Sequence, residues 1–287
     1  MFINKLYGRI IGILLFVAMS TLAASQEASP IVFSGFGFWA QDSISATPKL
    51  KHVWLIADKQ LGDSLELRAF LAFQGPPRIV HTLFVKWRNL LPMVEYVRVG
   101  KFEPPFGHGI NYYRIDRNPT INYSAIDLPV VARAHGLEVA NKWQDFRIKL
   151  AAMSGERLLG NIPVAYENSW DVYLRPSYKV LNNLSCGMSR RFGPVPAQGL
   201  DMQFELSQIH LETERVSSCD TANYTTLITY QVLPWFKPLV RYEHILWHDQ
   251  WTLGVSLKLP KDAEMKANVI WVSGKTPVMM GQLVIRW

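Results

Sequence analysis

Along most of this chain apolar side chains recur at every second position, the period of a β-strand with one face turned away from water. Trp251, Leu253, Val255, Leu257 and Leu259 alternate strictly with Thr252, Gly254, Ser256 and Lys258. Leu65, Leu67, Ala69, Leu71 and Phe73 oppose Glu66, Arg68 and Gln74, and Phe146, Ile148 and Leu150 oppose Arg147 and Lys149. Trp170, Val172 and Leu174 likewise oppose Asp171, Tyr173 and Arg175. The pattern predicts strands over 31–41, 50–59, 64–74, 81–87, 93–102, 131–141, 146–153 and around 170–175. It predicts further strands over 184–192, 200–206, 209–215, 224–232, 239–247, 251–259, 263–272 and 279–287. Turn residues separate them at Gln60 to Asp63, Asn89 to Pro92, Lys142 to Asp145, Asn182-Asn183 and Ser207-Gln208. Read as one strand, 200–215 makes the total odd. Split about Ser207-Gln208, it gives about 16 strands and an alternation of short turns with longer loops.

One stretch departs from the period. MVEYVRVGKF at 93–102 reads as a strand, and Pro104-Pro105 stops it because proline has no N–H for the next ladder position. The segment that follows, EPPFGHGINYYRIDRNPTINYSAIDLP, is rich in Tyr, Asn, Arg and Asp without the spacing of a helix or strand. A loop longer than about 12–15 residues in a compact domain is usually functional or disordered. Three tyrosines, a phenylalanine and several isoleucines argue against disorder, because disordered segments lack such residues. The expectation is a loop over 103–130 that folds into something hollow, the plainer alternative being a loop packed on a surface.

The ends of the chain restrict what that hollow object is. Residues 1–25 have a basic start (Lys5, Arg9), an apolar run from Ile10 to Met19, and Ala23-Ala24-Ser25 before Gln26. This is the plan of a secretory signal peptide, whose apolar run is too short to span a bilayer. No cysteine follows the leader, so lipoprotein attachment is not indicated. At the other end Met279, Gly281, Leu283, Ile285 and Trp287 share one face, and Met280, Gln282, Val284 and Arg286 the other. An alternating apolar strand that finishes on an aromatic resembles the closing strand of bacterial outer-membrane barrels.

Composition narrows the choice. Removing Lys5 and Arg9 takes the formal net charge from +7 to +5, charged residues are 18% and aromatics 12%. Hydrophobic residues make up 49%, yet no apolar run reaches the roughly 18–20 residues of a membrane helix. That leaves a large soluble core, or a barrel whose lipid face is written at every second residue. A mature chain 26–287 of about 260 residues suits one all-β domain, and no linker divides it. An Arg or Lys facing lipid near the bilayer midplane costs about 2–4 kcal/mol, so the charged face of each strand is expected to be wet. A soluble sandwich would alternate in the same way. The uninterrupted apolar faces and the two ends of the chain favour a transmembrane antiparallel β-barrel. Its candidate pore-lining bases are Arg68, Arg147, Lys149, Arg175, Arg191, Arg241, Lys258, Lys266 and Arg286. Its candidate lumen acids are Glu66, Asp171, Asp201, Glu205, Glu212, Glu214, Glu243 and Glu264, so the two signs nearly cancel.

VRVGKFEPPFG resembles the strand and Pro-Phe-Gly segment of the phosphate-selective porin family of the O/P type. LGDSLELRAFLAF, WDVYLRPSY and LPWFKPLVRYE are similar to further segments of that family. The resemblance covers most of the mature chain and is most specific over Gly-Lys-Phe-x-Pro-Pro-Phe-Gly. It implies a 16-stranded channel in the outer membrane of a Gram-negative bacterium, commonly a homotrimer, set in lipid. It also implies passage of small hydrophilic solutes or of anions such as phosphate, through a pore narrowed by an inward-folding third loop. Residues from Glu103 to Asp127 would form that loop, with Arg114, Arg117 and nearby Arg133 as a basic constriction against Asp116 and Asp127. The basic ladder and lysine cluster of the anion-selective members do not map onto this sequence, and the long loop contains no lysine.

Other chemistries find less support. An outer-membrane lipid hydrolase would need a nucleophile with a base in reach. The chain has no Gly-x-Ser-x-Gly elbow and no recognisable His–Ser pairing, so no catalytic residue is assigned. His210 with Glu212, and His244 with His248, are two-ligand sets without a third, so neither a metal nor a cofactor is expected. A charge of +5 spread over alternating strands forms no basic stripe for nucleic acid. Cys186 falls toward the periplasmic end and Cys219 in an external loop, which argues against a disulfide. A non-conducting structural barrel remains as the alternative to a channel. Intact-mass measurement of the protein from isolated outer membranes is expected to give a chain starting at Gln26, and a chain retaining residues 1–25 would make the leader an anchor instead.

Overall fold

A computed structural model of the chain describes residues 32–41, 49–72, 80–107, 134–159, 162–218, 221–246, 248–260 and 262–286. These residues form sixteen strands: β1 (Val32–Gln41), β2 (Lys49–Leu61), β3 (Leu65–Ala72), β4 (Val80–Arg88), β5 (Val94–Phe102), β6 (Ala134–Trp143), β7 (Phe146–Leu159) and β8 (Ile162–Leu181) in the first half. The second half holds β9 (Leu184–Phe192), β10 (Ala197–Leu206), β11 (Ile209–Ser218), β12 (Thr221–Tyr230), β13 (Phe236–Ile245), β14 (His248–Leu259), β15 (Ala263–Val272) and β16 (Val278–Arg286). Each strand pairs antiparallel with its neighbours in sequence. β1 also pairs with β16, Ser34 opposite Arg286 through Gln41 opposite Met279, so the sheet closes on itself with no free edge.

The burial pattern decides between a soluble sandwich and a membrane barrel. Leu150, Leu200, Ile228, Trp251 and Leu253 lie exposed on the outer face, while Glu138, Glu243 and Lys266 on the inner face are at most 1% exposed. A water-soluble sandwich would have these the other way round. Aromatics gather outside at both rims, as in the girdles of membrane barrels. Trp143, Phe146, Tyr178, Tyr230 and Trp235 stand exposed at the short-turn end, and Phe192, Tyr224, Trp251 and Trp271 toward the other. No described helix is long and apolar enough to cross a membrane.

Turns of two or three residues close one end, at Gly62–Ser64, Gln144-Asp145, Asn182-Asn183 and Ser207-Gln208. Gly62, Gln144 and Ser207 enter them with left-handed φ of 59°, 51° and 52°, which lets the chain reverse in so few residues. β1 begins and β16 finishes at this end, while the long connection between β5 and β6 leaves from the opposite one.

Several strands run further than the alternation shows. β7 and β8 form a hairpin extending to Leu159 and back from Ile162, with a register shift between Ser154 and Glu156. The expected strands stopped at 153 and resumed near 170 because Gly155 and the adjacent charges Glu156 and Arg157 interrupt the period. Lys142 and Trp143 belong to β6 rather than to its turn, and β13 begins at Phe236 despite Pro238. Pro238 is tolerated because the pairing of β13 with β12 starts only at Leu239. Of the expected strand over 131–141, residues 131–133 lie outside the described residues.

Gly100 is an inner-face position where both the space and the backbone conformation exclude a side chain. Its φ is +134°, and a Cβ there would come within 2.3 Å of the Leu83 carbonyl oxygen on β4. Gly100→Ala is expected to cost about 1–3 kcal/mol, the range for a residue forced into a sparsely populated conformation. A lowered midpoint of urea unfolding in lipid vesicles would show it, and an unchanged midpoint would mean the backbone relaxes at that point.

Candidate functional site

The third loop starts inside the barrel. After β5, Pro104 and Pro105 end the pairing, and the Phe106 N–H turns back to donate to the Pro104 carbonyl at 2.9 Å. Gly107, with φ of +63°, donates its N–H to Ser189 Oγ on β9 at 2.8 Å. Phe106 and Phe102 are fully buried in a cluster with Phe84, Ala151, Met153, Tyr173, Ala197 and Val216. These residues come from β4, β5, β7, β8, β10 and β11, so the loop root crosses the lumen and lies on the far wall. Two glycines make room for it: a Cβ on Gly199 would sit 3.0 Å from the Phe106 ring, and one on Gly107 would overlap the Glu214 carboxylate.

Charges line the inner wall in two sectors. On β2 to β9 the bases predominate and are tied to carboxylates on adjacent strands. Arg68 reaches Asp58 through two hydrogen bonds of 2.5 and 2.8 Å, and Lys86 and Arg88 flank Glu66 at 3.5 and 3.0 Å. Glu138, fully buried, accepts from the Tyr96 hydroxyl at 2.5 Å and from Arg98 at 2.8 Å. The Arg98 guanidinium lies 4.0 Å from the centre of the Phe102 ring and donates to the Glu103 carbonyl at 3.2 Å, which joins this network to the loop root. Arg147 pairs with Glu95 at 2.7 Å, and Arg191 with Asp171 at 3.3 Å. Lys149 stands among Arg98, Arg147 and Arg175, with Glu138 as its opposing charge.

The neighbouring sector is acidic. The inner faces of β10, β11 and β12 carry Asp201, Glu205, Glu212 and Glu214 and neither Lys nor Arg. Arg175 reaches across from β8 to Asp201 at 2.9 Å, which is where the two sectors meet. His210 bridges Glu212 at 2.7 Å and Glu205 at 3.3 Å. Further round, Arg241 pairs with Glu243 at 3.0 Å and Lys266 approaches Glu264 at 3.8 Å. Below the loop root, at the short-turn mouth of the lumen, a cavity of about 470 Å³ is lined by Lys142, Arg147, Lys149, Arg175 and Lys179, with Asp145, Asp201 and Glu205 opposite.

No family model matches the chain, and no curated protein matches its sequence. Solved structures do. OmpF of Salmonella typhi superposes with a TM-score of 0.67 at 8% identity, over 90% of this chain and 97% of that one. A mutant of the Rh. blastica porin gives 0.60 at 8% identity, over 91% and 100% of the two chains. OmpT of Vibrio cholerae, an outer-membrane protein solved as a trimer, gives 0.59 at 10% identity, over 91% and 100%. The fold is that of an outer-membrane porin.

In this porin fold Arg68, Arg147, Lys149, Arg175, Arg191, Arg241, Lys258 and Lys266 all stand on the inner face of their strands. Lys258 and Lys266 lie on β14 and β15, away from the basic sector. Of the expected constriction residues only Glu103 is described, with its carboxylate accepting from Thr82 Oγ1 at 3.3 Å. Arg114, Asp116, Arg117, Asp127 and Arg133 lie outside the described residues, as does Cys219. Cys186 is a free, exposed thiol. Among the described residues no group of His, Cys, Asp and Glu could hold a metal ion.

Lys86, Arg88, Arg98 and Glu138 went unrecognised in the alternation. Strands β4 and β5 carry Phe84, Tyr96 and Phe102 on the same face as Lys86, Arg88 and Arg98, so neither face reads as polar, and Glu138 on β6 stands alone between Gly136 and Ala140 on its inner face. The loop root supplies a direct test. Phe106→Ala removes its buried ring, a change that typically costs about 3–5 kcal/mol. The barrel is expected to stay heat-resistant while single-channel conductance rises, and unchanged conductance would mean the ring does not hold the loop inside.

Proposed function

We propose that this protein is a passive outer-membrane channel for small hydrophilic solutes, with a preference for anions. The observation that carries the reading is the loop root tethered at Ser189 beside a basic wall, inside a closed barrel with an apolar exterior. A structural barrel has no need of a loop drawn across its lumen or of a polar cavity at its mouth. The leader over 1–25, the external placement of the long loop and assembly as a homotrimer belong to the same reading. The family resemblance adds phosphate as the candidate anion, and the five bases around the short-turn cavity support it.

One charge about 5 Å from a permeating anion is worth roughly 1–3 kcal/mol at effective dielectric constants between 80 and 20. A few such charges bias permeation without trapping the ion. Lys149 is the residue of choice for a test, because it lines the cavity and stands among three arginines with Glu138 as its opposing charge. In planar bilayers under a chloride gradient the mature protein is expected to conduct in steps, prefer anions and be blocked by added phosphate. Lys149→Gln is expected to lower the anion preference by about fivefold, the equivalent of about 1 kcal/mol. Cation preference would instead assign selectivity to the acidic sector of β10 to β12, and a stable barrel that never conducts would overturn the channel.

A further inference from the structure

The outer face of β9 to β14 carries two features that a channel does not use. Arg190 on β9 and Arg215 on β11 are exposed on the side of the sheet that faces lipid. Their described contacts are with aromatic rings: the Arg190 guanidinium lies 5.1 Å from the centre of Phe192, and that of Arg215 5.6 Å from the centre of Tyr224. Neither has a carboxylate at ion-pair distance among the described residues. Every inner-face arginine named above, by contrast, meets a carboxylate.

Register fixes how the two arginines are related. Arg190 stands opposite Gln198, which stands opposite Ser217, while Arg215 stands opposite Leu200 one side-chain repeat deeper. Two strand spacings and one repeat separate them, about 12 Å between backbone positions. Between and beside them lie the polar side chains of Gln198 and Ser217. The Tyr224 ring then meets His244 at 6.3 Å, and His244 is held by Asp249 at 2.8 Å. Both arginines are within the last four residues of strands that end at the long-loop rim, so their side chains reach headgroup depth.

We propose that this patch binds a glycolipid of the outer leaflet whose headgroup carries two phosphates, one on each arginine, with sugar hydroxyls on Gln198 and Ser217. A guanidinium is suited to phosphate by its fork of donors. A glycerophospholipid with a single phosphate cannot span both positions. The proposal rests on the outer-membrane reading, with the long-loop rim outside.

The test uses the full mature protein in mild detergent, with native mass spectrometry counting bound bisphosphorylated lipid A, the same lipid after phosphatase treatment, and phosphatidylglycerol. The bisphosphorylated form is expected to bind best, and each of Arg190→Ala and Arg215→Ala to weaken it about fivefold, in line with a basic residue at an anionic lipid surface. Arg147→Ala, inside the lumen, is expected to leave lipid binding unchanged. Equal binding before and after phosphatase treatment, equal binding of phosphatidylglycerol, or a double variant that binds like the unaltered protein while remaining heat-resistant would each overturn the proposal. The comparison of lipids on the unaltered protein decides the matter even if the variants misfold. An epitope inserted between Pro194 and Val195 reports sidedness separately. Its detection on intact cells supports an external rim, and its detection only in permeabilised cells overturns the outer-leaflet placement whatever the lipid counts show.

Discussion

Inside a bilayer no water is available to backbone N–H and C=O groups, so every one of them must find a partner within the protein. The pairing of β1 with β16 is how this chain meets that requirement, since a single unpaired edge would leave a row of such groups in hydrocarbon. The rest of the architecture follows from closure. Once the sheet is a cylinder, each strand has one face toward lipid and one toward the lumen, and the two faces can be written in different alphabets. The glycine at 100 and the prolines at 176 and 238 sit where close approach or an interrupted ladder admits them.

Closure also turns the lumen into a place where charges can be stored. Arg98 and Glu138, or Arg175 and Asp201, are nearly dry side chains that would be costly alone, and removing one partner of such a buried pair typically costs about 3–5 kcal/mol. Pairing across adjacent strands cross-links the wall at the level of the side chains. Compensation is local, however, and the sectors keep a net sign: bases from β3 to β9, acids from β10 to β12. A solute entering the lumen therefore meets a field directed across the pore.

The loop root makes that field consequential. Phe106 fills an apolar cleft on the far wall, Gly107 lies against Glu214, and the Glu103 carbonyl receives Arg98, so the chain is held at both signs of charge where it enters. Chemistry common to many loops, a proline stop followed by an aromatic and a glycine, becomes specific here because Gly199 on the wall leaves space for the Phe106 ring and Gly107 in the loop itself leaves space for the Glu214 carboxylate.

The period-two pattern predicts about sixteen strands, the apolar and polar faces of most of them, and the point at which the long loop leaves β5. These properties are local: whether a side chain meets lipid or water is decided strand by strand, and it leaves its mark at every second residue. Where the pattern was obscured, as by the inward aromatics of β4 and β5, the charges beside them went unread. The sequence showed lumen bases and acids in nearly equal number and no direction to their field. Only the tertiary structure decided that Lys149 stands among three arginines, that Glu214 lies against the loop root, and that Ser189 anchors it. Those relations depend on the registers of many strands and on contacts between residues as far apart in the chain as Gly107 and Ser189, and no local spacing encodes them.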